Sequence, residues 1–377
     1  MSGNIPSNEI ASEKPYQNII SNGNIPFIPS DVVQQILLNL EARSLFQLIF
    51  VRRDWNSLIT SPNFVLRYSD RAFNSKDQLF LFMRGIGSYS EINYSLRKNN
   101  CDFSLFRVLE TPYFFFCRKN ELVGTSNGLI CLTDGARYSY ILWNPTVRRY
   151  VHLSRPLNAE ILSVGFGFDR RINDFKVVCL DVRDNIFEEE DSAWVFSYTT
   201  WSWKHVVGDI LSDKNQLHAP HVFIHGVLHW IGSKVENRQR HYIRTFDLAD
   251  EVFGQMLLPE NIGTDLISNS LWATEDSIVV SLFTTSMVWS VWVMKQYGVY
   301  ESWTKIITTD NHFPLEVLHI CKNNDMIIKR IDGKIVRYNP TTSMTSVPVL
   351  RESGIVCVTP HVESLYLLEK SRDVKSY

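Results

Sequence analysis

His218, His221, His225 and His229 crowd into the stretch HAPHVFIHGVLH. Neutral imidazoles at that density are well suited to holding a transition metal. No carboxylate or cysteine joins them at ligand spacing, and Gly226 is placed to turn the chain between His225 and His229. A turn there puts those two on different strands. The reading that survives is hairpin histidines bonded to neighbouring backbone, with no metal site. The six cysteines, at positions 101, 117, 131, 179, 321 and 357, include no C-x-x-C pair. Such scattered cysteines behave as small buried hydrophobes in a reducing compartment. Neither H-E-x-x-H nor a phosphate-binding loop pattern occurs, and no carboxylate pair for glycoside chemistry can be singled out. Nothing here calls for bond-making chemistry or a cofactor.

Two charge runs offer recognition instead. Residues 183–191 (RDNIFEEED) end acidic, and residues 232–241 (GSKVENRQRH) are basic. Most charge runs are only solvated surface. If these two loops rise side by side, however, Glu188, Glu189, Glu190, Asp191, Lys234, Arg238 and Arg240 would set the charge specificity of a protein target. The chain as a whole is nearly neutral, with net charge −2 and pI about 6.6, so neither nucleic acid nor a solvating acidic tail is implied. Residues 1–24 are polar and read as a flexible leader without a signal-peptide core. No stretch approaches the roughly 18 apolar residues that cross a bilayer. A cytoplasmic or nuclear protein without membrane contact is expected.

Two kinds of element must carry these loops. Residues 25–70 show helical spacing. Pro29, Ser30 and Asp31 form a helix start, and Val33, Ile36, Leu37 and Leu40 follow on one face. Leu45, Leu48, Ile49 and Phe50 make a second apolar stripe, and Val51, Trp55 and Leu58 a third. Ser61-Pro62 caps another short helix. Three or four short helices of this size carry more apolar surface than they can hide among themselves, so a partner or the following domain must cover it.

From about residue 77 strand signals replace helical ones, within a domain read as residues 71–377. Apolar runs flank polar turns at Asn127-Gly128, Asn173, His225-Gly226, Asp276 and Asn324, about 50 residues apart, and a second hairpin follows each. Two hairpins per repeat make four antiparallel strands, the blade of a β-propeller. Five blades are complete. A sixth would join the C-terminal hairpin GIVCVTPHVESLYLL to the N-terminal strands QLFLFMR and FSLFRVL, closing the ring and removing exposed edges. Six blades are expected, seven if a loop hides weak strands. A β-sandwich is the alternative, though it leaves the double-hairpin unit unexplained.

The helical stretch resembles an F-box: Pro29, Asp31, Val33, Ile36-Leu37-Leu38, Leu40, Arg43-Ser44-Leu45, Val51 and Trp55 match in order and spacing. Glu41 stands where plant-type sequences commonly have proline, and Arg52 where they have cysteine. The strand-rich remainder resembles the F-box-associated (kelch-like) domain of plant F-box proteins. The residues concerned are Val123-Gly124 and Ser126 to Leu132, Trp143-Asn144-Pro145-Thr146, Gly165 to Asp169, and Asn173 to Val178. The pair implies a small all-α F-box module followed by an all-β propeller. It implies a substrate receptor of a cullin-type (SCF) ubiquitin ligase, docking on a Skp-type adaptor and through it on cullin. Pro29, Val33, Ile36, Leu37, Leu40, Leu45, Leu48, Val51 and Trp55 would hold the adaptor, and the propeller an unknown protein target. A scaffold that never joins a ligase is the alternative.

Overall fold

The structure, a computed structural model, describes residues 28–73, 79–86, 91–112, 120–135, 137–157, 159–181, 191–208, 218–233, 241–259, 266–274, 276–286, 288–310, 315–321, 325–330, 332–342, 344–345, 354–368 and 374–377.

Helices come first: α1 (Ser30–Leu38), α2 (Ala42–Leu48), α3 (Arg53–Ile59) and α4 (Pro62–Phe73). Pro29 supplies the carbonyl that closes the first turn of α1, accepting from the Val33 amide at 3.0 Å, but no side chain caps that helix. At α4 the anticipated cap is present: Ser61 Oγ accepts from the Phe64 amide at 3.3 Å, and Pro62 occupies the first helical position, where a missing N–H costs nothing. By compactness the chain divides between Leu40 and Glu41, inside the stretch read above as one module. Helix α1 thus belongs to one unit, and α2 to α4 belong with the strands to another.

The strands build six sheets. Blade I holds β4 (Asn120–Ser126), β5 (Leu129–Asp134), β6 (Ser139–Asn144) and β7 (Arg149–Ser154). Blade II holds β8 (Ile161–Asp169), β9 (Asp174–Asp181), β10 (Asp191–Ser197) and β11 (Ser202–Gly208). Blade III holds β12 (His218–Ile224), β13 (Val227–Ser233), β14 (His241–Asp247) and β15 (Val252–Leu257). Blade IV holds β16 (Leu266–Ala273), β17 (Ile278–Thr284), β18 (Val288–Met294) and β19 (Trp303–Asp310). Blade V holds β20 (Leu315–Ile320), β21 (Met326–Arg330), β22 (Ile335–Asn339) and β23 (Met344–Thr345). Blade VI is made from both ends of the domain: β1 (Leu79–Ile86), β2 (Glu91–Lys98) and β3 (Leu105–Leu109), with β24 (Ile355–His361) antiparallel to β1. The two-residue β25 (Lys375–Ser376) adds a fifth strand to blade I, against β7. The first strand of blades I to V and β24 of blade VI touch in succession around the axis, so the ring closes.

Closure by pairing of N- and C-terminal strands is therefore observed, with two corrections. Only one C-terminal strand joins blade VI, because the chain leaves it after His361 and residues 362–368 run across blade I as a strap. The fourth strand is β2, whose alternation of Ile92, Tyr94 and Leu96 between polar residues is a weaker signal than an unbroken apolar run.

The ring's packing explains those unbroken runs. In β9, Val177 and Cys179 face a buried cluster shared with blade I, and Val178 and Leu180 face one shared with blade III. In β5, Leu129 and Cys131 look one way and Ile130 and Leu132 the other. Side chains alternate across a strand, and here both faces meet another blade, so every position must be apolar. Glycine serves the same packing. A Cβ on Gly165 would lie 2.7 Å from Leu228 Cδ1, and one on Gly167 2.5 Å from Phe223 Cε2, so blade III can approach β8 only because both are bare.

Candidate functional site

The helices leave several large apolar side chains exposed. Ile36 in α1 is 51% exposed, Phe50 72% and Val51 62%. Pro29 is exposed too, and Val33, Leu40, Leu48 and Trp55 are half-buried, while Leu37 and Leu45 are buried and support the fold. The nine residues named from sequence thus divide into surface and support. Val32 and Phe50 belong with the exposed set although the motif does not mark them. Their signal is only that they are large apolar residues beside the stripe.

Helix α4 ties the second unit's helices to the ring. Phe64, Val65, Tyr68 and Ser69 are buried, Leu66 packs against the cluster shared by blades I and II, and Asp70 pairs with Arg170 in the β8–β9 turn. That turn lies on the face that also carries Asn127-Gly128 and His225-Gly226, whose positive φ values of 45° and 79°, then 53° and 81°, suit tight two-residue hairpins. The loops joining second to third strands emerge on the opposite face, away from α4. Of the two charge runs, the described ends Asp191 and Gly232-Ser233 lie there. Glu188, Glu189, Glu190, Lys234, Arg238 and Arg240 lie outside the described residues. Asp191 begins β10, its backbone paired with Gly208.

The histidines are held by backbone and ring contacts. His221 is half-buried, and its Nε2 accepts from the Phe166 amide at 3.2 Å. His229 places Nδ1 3.3 Å from the Val222 carbonyl and Nε2 2.9 Å from the Tyr297 hydroxyl. His225, exposed in the turn, lies 3.1 Å from the Asp276 carbonyl. The glycine turn is present, but His225 is part of it rather than of a strand, while His229 lies on β13. Burial pushes both the His221 and His229 imidazoles down to about 4. Among the described residues, no three of His, Cys, Asp and Glu gather as metal ligands. Gly124-Thr125-Ser126-Asn127-Gly128 has the G-x-S-x-G spacing of a hydrolase elbow. It sits in a strand–turn–strand hairpin, with Ser126 buried, whereas an elbow needs a helix after the turn and an exposed hydroxyl.

Residues 115–363 match the family described as the F-box associated beta propeller domain. The chain belongs to the F-box associated β-propeller family of plant F-box proteins. An F-box/kelch-repeat protein of Arabidopsis thaliana is 24% identical over 305 residues, covering 74% of this chain and 79% of its own. The F-box protein CPR1, also from Arabidopsis thaliana, is 24% identical over 322 residues, covering 74% and 72%. Among solved structures the Dos1 propeller superposes with a TM-score of 0.36 at 10% identity, over 73% of this chain and 68% of that one, too distant a likeness to carry any inference.

In this F-box-associated propeller the Trp143-Asn144-Pro145-Thr146 motif does more than start a turn. Asn144 is fully buried and donates from Nδ2 to the Ser364 carbonyl and hydroxyl, both at 3.1 Å, and to the Tyr366 carbonyl at 2.8 Å. Its Oδ1 accepts from the Thr146 amide at 2.9 Å. Arg149 donates to the Leu367 carbonyl at 3.0 Å and also to that of Leu368. The Asn173-Asp174-Phe175-Lys176 motif likewise joins blades. The buried Lys176 ammonium donates to Asp169 at 3.2 Å, to Glu251 at 3.0 Å and to the Leu248 carbonyl at 2.6 Å, linking blade II to the β14–β15 turn. No helix among the described residues is long and apolar enough to cross a membrane.

Proposed function

We propose that this chain is the substrate receptor of a cullin-type ubiquitin ligase. Residues 25–70 dock on the Skp-type adaptor, and the propeller of residues 71–377 captures a target protein. The observation that carries the reading is a group of apolar side chains left in water on short helices, Ile36, Phe50 and Val51, the last two adjacent in the chain. Exposed apolar anchors on short helices are what a partner's groove reads. The chain performs no bond chemistry. It raises the effective concentration of target lysines beside a ubiquitin-charged enzyme held by the same complex. A cytoplasmic or nuclear setting follows from that role.

The target is taken on the ring face away from α4, by Glu188 to Asp191 in the chain leading from β9 into β10 and by Lys234, Arg238 and Arg240 in the chain between β13 and β14. Affinity purification of the intact chain from plant cells tests both halves. The adaptor and a consistent set of further proteins should co-purify. With Arg238→Glu and Arg240→Glu the adaptor should stay and the further proteins disappear. Loss of the adaptor from the wild-type sample would refute the docking, and an unchanged protein set with the reversed charges would refute the target face.

A further inference from the structure

Residues 362–368 cross three blades. Glu363 pairs with Arg107 of blade VI at 3.0 Å. Asn144 and Arg149 of blade I hold the backbone of Ser364, Tyr366, Leu367 and Leu368. Tyr366 lies against Phe168 and Phe175 of blade II, with ring centroids 5.6 and 4.7 Å away, and its hydroxyl donates to Asn173 Oδ1 at 3.3 Å. The strap is seated tightly. A Cβ on Gly128 would lie 2.5 Å from Ser364 Cβ. Backbone bonds alone would be enough to fasten a tail to blade I, so the two large side chains need another reason.

That reason is on the strap's other side. Leu66 of α4 and Tyr366 pack against the same buried cluster, which contains Leu367. Arg43 at the start of α2 lies near enough to favour the Glu363 carboxylate and Glu41 near enough to disfavour it, while that carboxylate opposes ionisation of the Tyr68 hydroxyl of α4. Asp70, paired with Arg170, acts on Tyr366 in the same way. The Glu363 carboxyl is mostly buried, and burial pushes its pKa up. A buried acid is costly to keep unless its geometry is used.

We infer that residues 362–368 are the mount that holds helices α2 to α4 on the ring, and that Glu363 and Tyr366 are positioning residues that fix the helices' angle. On the reading given above, that angle sets where a captured target meets the ubiquitin-charged enzyme. The mount itself is independent of that reading and can be tested without any partner.

Hydrogen exchange of the full chain reads it directly. In wild type, amides 65–69 of α4 and 177–180 of β9 should both be protected. Glu363→Ala combined with Tyr366→Ala should speed exchange in α4 by about tenfold or more and leave β9 unchanged. Tyr366→Phe keeps the ring contacts and should leave α4 protected. Leu66→Ser loosens the same helices from the opposite side, so it should reproduce the fast α4 exchange with the strap intact. A spin-label pair at Arg67→Cys and Thr304→Cys, with Cys101→Ser and Cys117→Ser, should show one narrow distance in wild type and a broad one in the double variant. The inference is overturned if α4 stays protected and the distance narrow in the double variant. It is equally overturned if β9 loses protection together with α4, because the strap would then be a staple of the ring rather than a mount. Whether an adaptor binds has no bearing on any of these outcomes, so failure here is distinct from failure of the ligase reading.

Discussion

The ring and the helices use the same residue types to opposite ends. Ile327 in β21 is fully buried between blades V and VI, whereas Ile36 in α1 is half in water. An inner strand of the propeller has a neighbouring blade on each face, so apolar residues of both parities disappear, whereas the outer strands leave Val207, Val252 and Leu257 half exposed. A short helix has one packed face, and any apolar residue beyond that face is left over. Apolar composition therefore reports stability in the ring's inner strands and availability in the helices, and substitutions should separate the two roles.

The largest effect is expected at Trp143. Its indole is fully buried between blades VI and I, stands 5.5 Å from the Tyr94 ring, and donates to the Tyr377 hydroxyl at 2.5 Å. Trp143→Ala should cost about 3–5 kcal/mol of stability, read as a lower urea midpoint. A midpoint close to wild type would mean that blade VI is not locked to blade I by this seam.

Phe50→Ser with Val51→Ser should do the reverse. Folding stability should stay within about 0.5 kcal/mol, since neither side chain leaves a buried site. Adaptor affinity should fall by about 2 kcal/mol, or roughly thirtyfold, measured by calorimetry with the purified Skp-type protein. If the pair instead lowers the urea midpoint and leaves affinity alone, the helices follow the same rule as the ring and the comparison collapses.

How much of this was legible in the sequence follows the same division. The ring could be read because each of its signals is local. Asn127-Gly128 must be a hairpin turn whatever surrounds it, and the run Leu129 to Leu132 must be a strand covered on both faces. The strap could not be read. Asn144 looks like a turn residue beside Pro145, and its real partners lie some 220 residues further on. No local pattern marks a bond of that separation. In the helices the motif named the right stripe but not which side faces inward. Leu37 is buried and Ile36 exposed although they are adjacent, because three or four residues per turn leave the choice to tertiary packing. The charge runs were marked by composition alone, and six of the seven residues named in them lie outside the described residues.

The smallest effect makes the sharpest separation, because it uses a residue type that one region lacks. Residues 28–73 contain no histidine. The ring buries His229, His319 and His361, and burial holds each imidazole down to about 4. The ordinary value is about 6.5, so as pH falls from there the unfolded chain takes up protons that the folded ring refuses. Stability is fully present above about 6.5, is lost through the window down to about 4, and stops changing below it. Between pH 7.5 and 6 each imidazole should cost about 1 kcal/mol, and His229→Gln should remove one such share from the slope while keeping a partner for Tyr297. Urea midpoints at the two pH values, for wild type and variant, measure it. A slope unaltered by His229→Gln would show that this imidazole is protonated within the folded ring. Adaptor affinity over the same interval should stay flat, since the helical surface has no group that titrates there. If affinity falls in step with ring stability, the apolar helical surface depends on the ring for its shape, and the two regions are not separable after all.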